Sequence, residues 1–230
     1  MIQILNSWNE IGEAYNNLIN LHMPIHKTPM KNWDIWQIYN IVKDMDKDTY
    51  IFDFGCRESA VINLCYKMGF RNLYGIDLYE LDSKYNRRSY LNDLYLWFGR
   101  KLIYGTTYHL QRGDGLVSKC SSDFYDIITS VSVVEHGVDI EVFFKEMYRL
   151  LKKYGLLYVS TDYWPEKIKV HQEDWVIFSK EEIEDIIKIA WDNGFNLLGE
   201  KNMEQSPMKT ISFNGYDFTF LSMIFKKSES

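Results

Sequence analysis

From residue 49 to the end of the chain, short apolar runs alternate with segments of helical period, and this alternation constrains the fold more than any other feature. Thr49-Tyr50-Ile51-Phe52-Asp53-Phe54, Asn72-Leu73-Tyr74-Gly75-Ile76-Asp77 and Tyr125-Asp126-Ile127-Ile128-Thr129-Ser130-Val131 read as buried strands, as does Leu156-Leu157-Tyr158-Val159-Ser160. A third strand in chain order is expected over Thr106 to Leu110, and two last ones over Phe195 to Leu198 and Tyr216 to Phe225. Helices are expected from about Ser59 to Met68 and, with Ile140, Phe143, Phe144, Met147, Leu150 and Leu151 on one face, ahead of a stop at Gly155. Ser179-Lys180-Glu181-Glu182 has capping-box spacing and opens another, with Ile183, Ile186, Ile187, Ala190 and Trp191 inward. The stretch from Tyr79 to Tyr104 is polar and aromatic and reads as helical in part. Strands separated by helices build a mostly parallel sheet covered on both faces. The closing pair departs from this. Only the loop from Gly199 to Gly215 joins its strands, so one of them is expected to be antiparallel.

Ahead of this core the sequence predicts a helical extension. Ser7-Trp8-Asn9-Glu10 has capping-box spacing before Ile11, Tyr15, Leu18 and Ile19, and a break carrying Pro24 and Pro29 precedes a helix near Asn32 that uses Ile35, Ile38, Tyr39 and Val42. We therefore read residues 1–230 as a single domain, with 1–46 as helical extension or lid and 47–230 as core. No apolar run approaches the roughly 18 residues of a membrane span, and the first residues lack the pattern of a secretory signal. Cys56, Cys65 and Cys120 are too few and too scattered for a disulfide framework or zinc cluster, which points to a reducing cytoplasm. A net charge of −6 argues against nucleic acid as a partner. Aromatic residues reach 16%, enough to line a ligand cleft as well as a core. Nothing in the sequence signals an oligomeric state.

Open α/β sheets bind ligands outside the carboxyl ends of their strands. Asp53-Phe54-Gly55-Cys56-Arg57-Glu58-Ser59 follows the first core strand, and Gly55 permits a tight turn and close backbone approach. Asp77 ends the second strand and can accept hydrogen bonds from both ribose hydroxyls. Either feature alone is equally a generic turn with a capping aspartate; together they favour an adenosine-containing ligand. The loop has one glycine where a dinucleotide fingerprint wants three, and Arg57 and Glu58 would crowd a pyrophosphate. A ligand without phosphates, such as S-adenosylmethionine, fits better.

Here the sequence resembles the class I S-adenosylmethionine-dependent methyltransferases, from about Asn32 to Lys226. Asp53-Phe54-Gly55-Cys56 matches the glycine-loop motif, Tyr74-Gly75-Ile76-Asp77 the acidic ribose motif and Gly113-Asp114-Gly115 the adenine-edge motif. The most specific part runs from Phe124 through Ser130, Val131, Glu135 and His136, continuing into Arg149-Leu150-Leu151-Lys152-Lys153-Tyr154-Gly155. The resemblance implies a Rossmann-like, seven-stranded, mostly parallel sheet whose last strand is antiparallel and inserted beside the fifth, with helices on both faces. It implies an enzyme using S-adenosylmethionine and releasing S-adenosylhomocysteine, with Asp53, Gly55, Cys56, Arg57, Asp77, Leu78, Asp114, Gly115, Ser130 and Val131 contacting the cofactor. Arg57 and Ser59 stand where later glycines are usual in the family.

His136 is the candidate general base for a hydroxyl acceptor, with Glu135 orienting it or contacting the cofactor; alternatively the pair caps the helix beginning near Asp139. Asp162 and Tyr163 are expected to face one cleft and hold the acceptor, with Trp164 as a wall, or else to form a packed aromatic turn. The paired prolines of base-directed amino methyltransferases are missing there. The segment from His26 to Asp34, with Lys31 and Trp33, reads as a lid over the cofactor or as helix packing. His22 and His26 have a metal-like spacing broken by Pro24, and no metal is expected. Cys56 reads as a loop residue and Lys226-Lys227 as solvated charge. Similar domains with a serine-rich fourth strand and a Glu-His pair occur with bacterial surface-polysaccharide synthesis. The resemblance therefore implies a hydroxyl of a sugar, nucleotide-linked sugar or related small molecule as acceptor, with no nucleic acid or membrane partner. The competing readings are methyl transfer to a small amine, a non-catalytic cofactor-binding subunit, and a nicotinamide-dependent oxidoreductase.

Overall fold

The computed structural model describes residues 1–57, 60–78, 109–201, 203 and 207–229. Its strands are β1 (Ile2–Ile4), β2 (Tyr50–Phe54), β3 (Asn72–Asp77), β4 (His109–Arg112), β5 (Tyr125–Val131), β6 (Leu151–Tyr163), β7 (Phe195–Leu197), β8 (Ile211–Phe213) and β9 (Tyr216–Lys227). Its helices are α1 (Trp8–Asn20), α2 (Asn32–Val42), α3 (Ala60–Lys67), α4 (Ile140–Leu150) and α5 (Lys180–Asp192). The expected helical content of 79–104 and the start of the third core strand lie outside the described residues.

The sheet runs β1-β9-β6-β5-β2-β3-β4, with β7 and β8 also on β9. The β4-β3-β2-β5-β6 block is parallel, and β9 lies antiparallel beside β6, Leu156 opposite Lys226 through Tyr163 opposite Thr219. This is the Rossmann-like arrangement expected from the closing loop. Two short strands were not anticipated. β1 continues the edge that β7 begins, pairing Ile2 with Met223 where β7 pairs Leu197 with Phe225, so the extension opens with a strand and is not purely helical. β8 forms a hairpin with β9 through Asn214-Gly215, both at positive φ (51° and 83°), the backbone of a tight primed turn.

Strand alternation sorts the core into two layers. Phe52, Ile128, Leu157, Val159 and Tyr163 meet α4 and α5 through Phe143, Met147, Ile183 and Ile186. Ile51, Leu73, Ile127 and Tyr158 meet α2 and α3 through Ile35, Ile38, Val61 and Cys65. Each such side chain, buried, is worth about 1.5–3 kcal/mol. A third cluster, Leu5, Ile11, Trp33, Trp175, Ile177, Phe218 and Phe220, binds the extension to the sheet end where ligands are expected.

Three local expectations are corrected. α4 does not stop at Gly155: the chain becomes extended at Leu151, Tyr154 takes the left-handed turn (φ 65°), and Gly155 lies inside β6. A Cβ at Gly155 would stand 2.9 Å from the Lys152 carbonyl oxygen and 3.1 Å from that of Asp126, so close backbone approach requires the glycine. At Ser7 the capping box does not close; Glu10 instead accepts from the Asn6 N–H (3.1 Å) and the Ser7 hydroxyl (3.3 Å). Lys227 is not solvated charge: it is buried and donates to Asp123 Oδ1 and to the Tyr148 and Leu151 carbonyls at 2.7–2.8 Å.

Candidate active site

The turn after β2 folds back on β3. Gly55 has φ +80°, and a Cβ there would overlap Val133 Cγ2, so the turn tolerates only glycine. The N–H groups of Gly55 and Cys56 donate to the Ile76 carbonyl (2.8 and 3.2 Å), and the Arg57 N–H donates to Asp77 Oδ2 (2.9 Å). The glycine turn and the acid ending β3 are thus one unit, with Leu78 exposed beside it. Asp53 lies beneath, buried; Thr129 donates to it at 2.7 Å, yet burial and the Asp77 charge push its carboxyl up to about 7. Burial and the same two carboxylates raise the Cys56 thiol, which disfavours its thiolate. Asp114 caps the short turn Gly115–Val117, accepting from the Leu116 N–H at 2.9 Å, and a Cβ at Gly115 would strike the Phe54 ring. Ser130 and Val131 end β5, the Ser130 hydroxyl buried and without a hydrogen-bond partner. Glu58 and Ser59 lie outside the described residues.

This cradle suits the expected cofactor. Its side chains are Asp53, Asp77 and Asp114, with exposed Arg57 at its rim, a set that favours a sulfonium-bearing adenosyl group over a pyrophosphate. When bound, Asp77 and the Gly55 turn would hold its ribose and amino-acid portions.

A second group of residues gathers at the tips of β5 and β6. Ser132, at φ 51°, turns the chain out of β5 and donates its N–H to the Ser160 carbonyl at 3.0 Å. Glu135 follows, 1% exposed; Oε2 accepts from the Thr161 hydroxyl (3.1 Å), and Oε1 is buried with no hydrogen-bond partner. Asp162, also buried, accepts from Trp175 Nε1 at 2.8 Å. From the other side α2 delivers Asp34, fully buried, which accepts from the Tyr158 hydroxyl at 3.2 Å. Lys31, just before α2, places its ammonium on the Ser132 hydroxyl and 3.9 Å above the Phe220 ring centre. Burial raises the carboxyls of Asp34, Glu135 and Asp162; Asp162 is raised further by Glu135, and the Lys31 charge pulls all three back.

The sequence candidates fall out unevenly against this geometry. His136 is exposed at the same tip, its charge reaching Asp162. The Glu135-His136 pair does not cap α4: Asp139 does, accepting from the Val142 N–H at 3.0 Å. Asp162 and Tyr163 do not face one cleft, because neighbours in a strand point to opposite faces. Tyr163 is fully buried in the layer of Phe178 and Ile183, its hydroxyl without a hydrogen-bond partner. The segment read as a lid docks on the tips of β5 and β6 through Lys31, Trp33 and Asp34. The sequence placed Asp34 near the site only as part of the lid segment, and it did not join Trp175 to the site. The signal for Trp175 was the apolar run Trp175-Val176-Ile177-Phe178. Among the described residues no group of His, Cys, Asp and Glu could hold a metal ion. A crease of about 860 Å³ lies between β1, α1 and α2, lined by Ile4, Trp33, Trp36 and Gln37 among others.

A family model described as a methyltransferase domain matches residues 25–198. No curated protein matches the sequence. Among solved structures, geranyl diphosphate C-methyltransferase from Streptomyces coelicolor A3(2), with S-adenosyl-L-homocysteine bound, is 14% identical at TM-score 0.62, covering 89% of this chain and 84% of its own. The phosphoethanolamine N-methyltransferase 2 of Haemonchus contortus, with S-adenosyl-L-methionine bound, is 14% identical at TM-score 0.58 over 84% of this chain and 52% of its own. An S-adenosylmethionine-dependent methyltransferase from Mesorhizobium loti is 14% identical at TM-score 0.53, over 83% and 96%.

Proposed function

The chain belongs to the methyltransferase-domain family as a class I S-adenosylmethionine-dependent enzyme, and from that premise we propose that it methylates a hydroxyl of a small polar acceptor held at the tips of β5 and β6. A sugar, or the sugar end of a nucleotide-linked or polysaccharide precursor, is the acceptor class we favour. Fold neighbours are named for methylation of carbon and of nitrogen, so the acceptor must be argued from this chain's own site. The observation that carries the reading is the buried, unpartnered Glu135 Oε1.

The bound cofactor would supply an activated methyl and a good leaving group. The protein must then hold the acceptor oxygen in line and dry, an arrangement worth up to about 7–11 kcal/mol in well-oriented systems. A hydroxyl must also give up its proton as it attacks. Glu135, with its carboxyl raised by burial, is suited to take that proton at neutral pH, typically for about 10²–10⁴-fold in rate. His136, exposed beside it, is the alternative acceptor of the same proton. Ser132 and Thr161 are the neighbouring hydroxyls that would orient a polyol. The test is formation of S-adenosylhomocysteine from S-adenosylmethionine with a panel of sugars and nucleotide sugars. Glu135→Gln should lose at least about 100-fold in turnover with cofactor affinity kept, and His136→Ala should lose far less. The opposite order would make His136 the base, and equal activity in both variants would remove a hydroxyl-activating carboxylate from the account.

A further inference from the structure

We propose that α1 is the docking surface for a second copy of this chain, two protomers pairing antiparallel along Trp8, Gly12, Tyr15 and Ile19. This pairing depends on neither the cofactor nor the acceptor reading above.

At 3.6 residues per turn these four positions fall within about 60° of helix arc. The buried residues Ile11, Ala14 and Leu18 point about 100° away, into the chain's own core. The apolar arc of α1 is therefore wider than the core uses. Trp8 is 52% exposed, Tyr15 37% and Ile19 43%, and none of them joins a core cluster among the described residues. Their open surface amounts to roughly 300 Å². Gly12 adds an independent observation. A glycine inside a helix costs stability, and this one is not at positive φ. A Cβ there would meet no atom within 4 Å among the described residues. The folded protomer thus has no use for the missing side chain, whereas a second helix packed closely against α1 does.

The stripe is complementary to itself. Trp8 and Ile19, like Gly12 and Tyr15, are centred on one point of the helix, between Glu13 and Ala14. A two-fold axis there sets Trp8 on the partner's Ile19 and the Tyr15 ring over the notch at the partner's Gly12. Parallel pairing would set notch against notch and align the helix dipoles, which is unfavourable. With a net charge of −6 two copies repel, yet the seam brings no like charges together. Exposed Asn9, Asn16 and Asn20 border the stripe, with amides that both donate and accept, and Glu10 and Glu13 lie further round. The same polar face argues against a lipid surface as the occupant, since a helix lying on a membrane carries Lys and Arg there and α1 has neither. Exposed Met208, bonded through its N–H to the Asn6 carbonyl, and exposed Leu21 and Ile25 stand at the two ends of α1. With them the apolar surface reaches on the order of 500 Å², close to the non-polar share of a standard dimer face of about 800 Å² per partner.

The test is sedimentation equilibrium of the full chain from nanomolar concentrations to about 100 μM, where a reversible dimer is expected. Trp8→Glu and Gly12→Leu should each weaken the dimer at least about tenfold. Trp191→Glu, which alters a still more exposed tryptophan on α5, should leave it unchanged. Gly12→Leu removes no contact within the protomer, so its thermal midpoint in dilute solution should not fall, and a lost dimer is then not a misfolded chain. Trp8→Glu/Ile19→Lys reads the orientation: antiparallel pairing brings the two opposite charges together and should recover part of the association that Trp8→Glu loses. Parallel pairing would set like against like and weaken it further. A monomer at every concentration, a dimer indifferent to both stripe variants, or a double variant weaker than Trp8→Glu alone overturns the proposal.

Discussion

Gly55 shows how much of the site depends on single atoms. Its φ of +80° and the position of Val133 exclude any side chain, so Gly55→Ala combines backbone strain with overlap. We predict a loss of about 1–3 kcal/mol from each effect, together with weakened cofactor binding. Gly55→Ala/Val133→Ala should recover the steric part in thermal unfolding and leave the conformational part. Asp53 gives a pH prediction. Its folded pKa, about 7, is above the ordinary carboxylate value, so the folded state holds a proton that the unfolded chain releases. The stability linked to this group is therefore fully present below the unfolded pKa of about 4 and is lost as pH rises through about 7. Asp53→Asn should flatten that decline; urea midpoints at acidic and mildly alkaline pH measure it, and an unchanged slope would contradict the assignment. Gly55 and Asp77 were legible because backbone freedom and a strand-ending acid are local properties. The surroundings of Glu135 were not, because the Thr161 hydroxyl on one of its oxygens and the Lys31 charge that bears on it come from distant stretches of the sequence.

At the level of elements, identical local patterns met different fates. Ser179 closes a full capping box, accepting from the Glu182 N–H at 3.3 Å while Glu182 accepts from the Ser179 N–H at 2.8 Å. Ser7, with the same spacing, makes no cap bond. Ser179→Ala should therefore cost about 1 kcal/mol and Ser7→Ala only a few tenths, compared by chemical unfolding. Equal costs would show that the pattern, and not the geometry, carries the stability. The strands that are continuous buried runs were readable to the residue, as β3 and β5 show. β1 is three residues long and gains its identity only from pairing with β9, so no local pattern announces it. β8 could have been found, since Asn-Gly between short apolar runs is a hairpin signal. Lys226 and Lys227 are adjacent and alike in sequence, yet strand alternation sends Lys227 inward to the carbonyls at the end of α4. Lys227→Met should cost about 1–3 kcal/mol by leaving those groups without a donor.

Across the whole molecule the sheet brings two separate constellations to one edge, the acidic cradle at β2 and β3 that we propose for the adenosyl group and a buried acid-lysine group at β5 and β6. The extension completes the second of these through α2 and the aromatic cluster of Trp33, Trp175 and Phe220. No helix among the described residues is long and apolar enough to cross a membrane. Everything proposed for the acceptor depends on the first constellation working as a cofactor site. The most direct measurement is calorimetric binding of S-adenosylmethionine, S-adenosylhomocysteine and NADH to the unaltered protein and to Asp77→Ala. The account predicts micromolar binding of the two sulfur ligands, at least a tenfold loss in the variant and no binding of NADH. Binding of NADH alone, or sulfur-ligand affinity unchanged in Asp77→Ala, would contradict it.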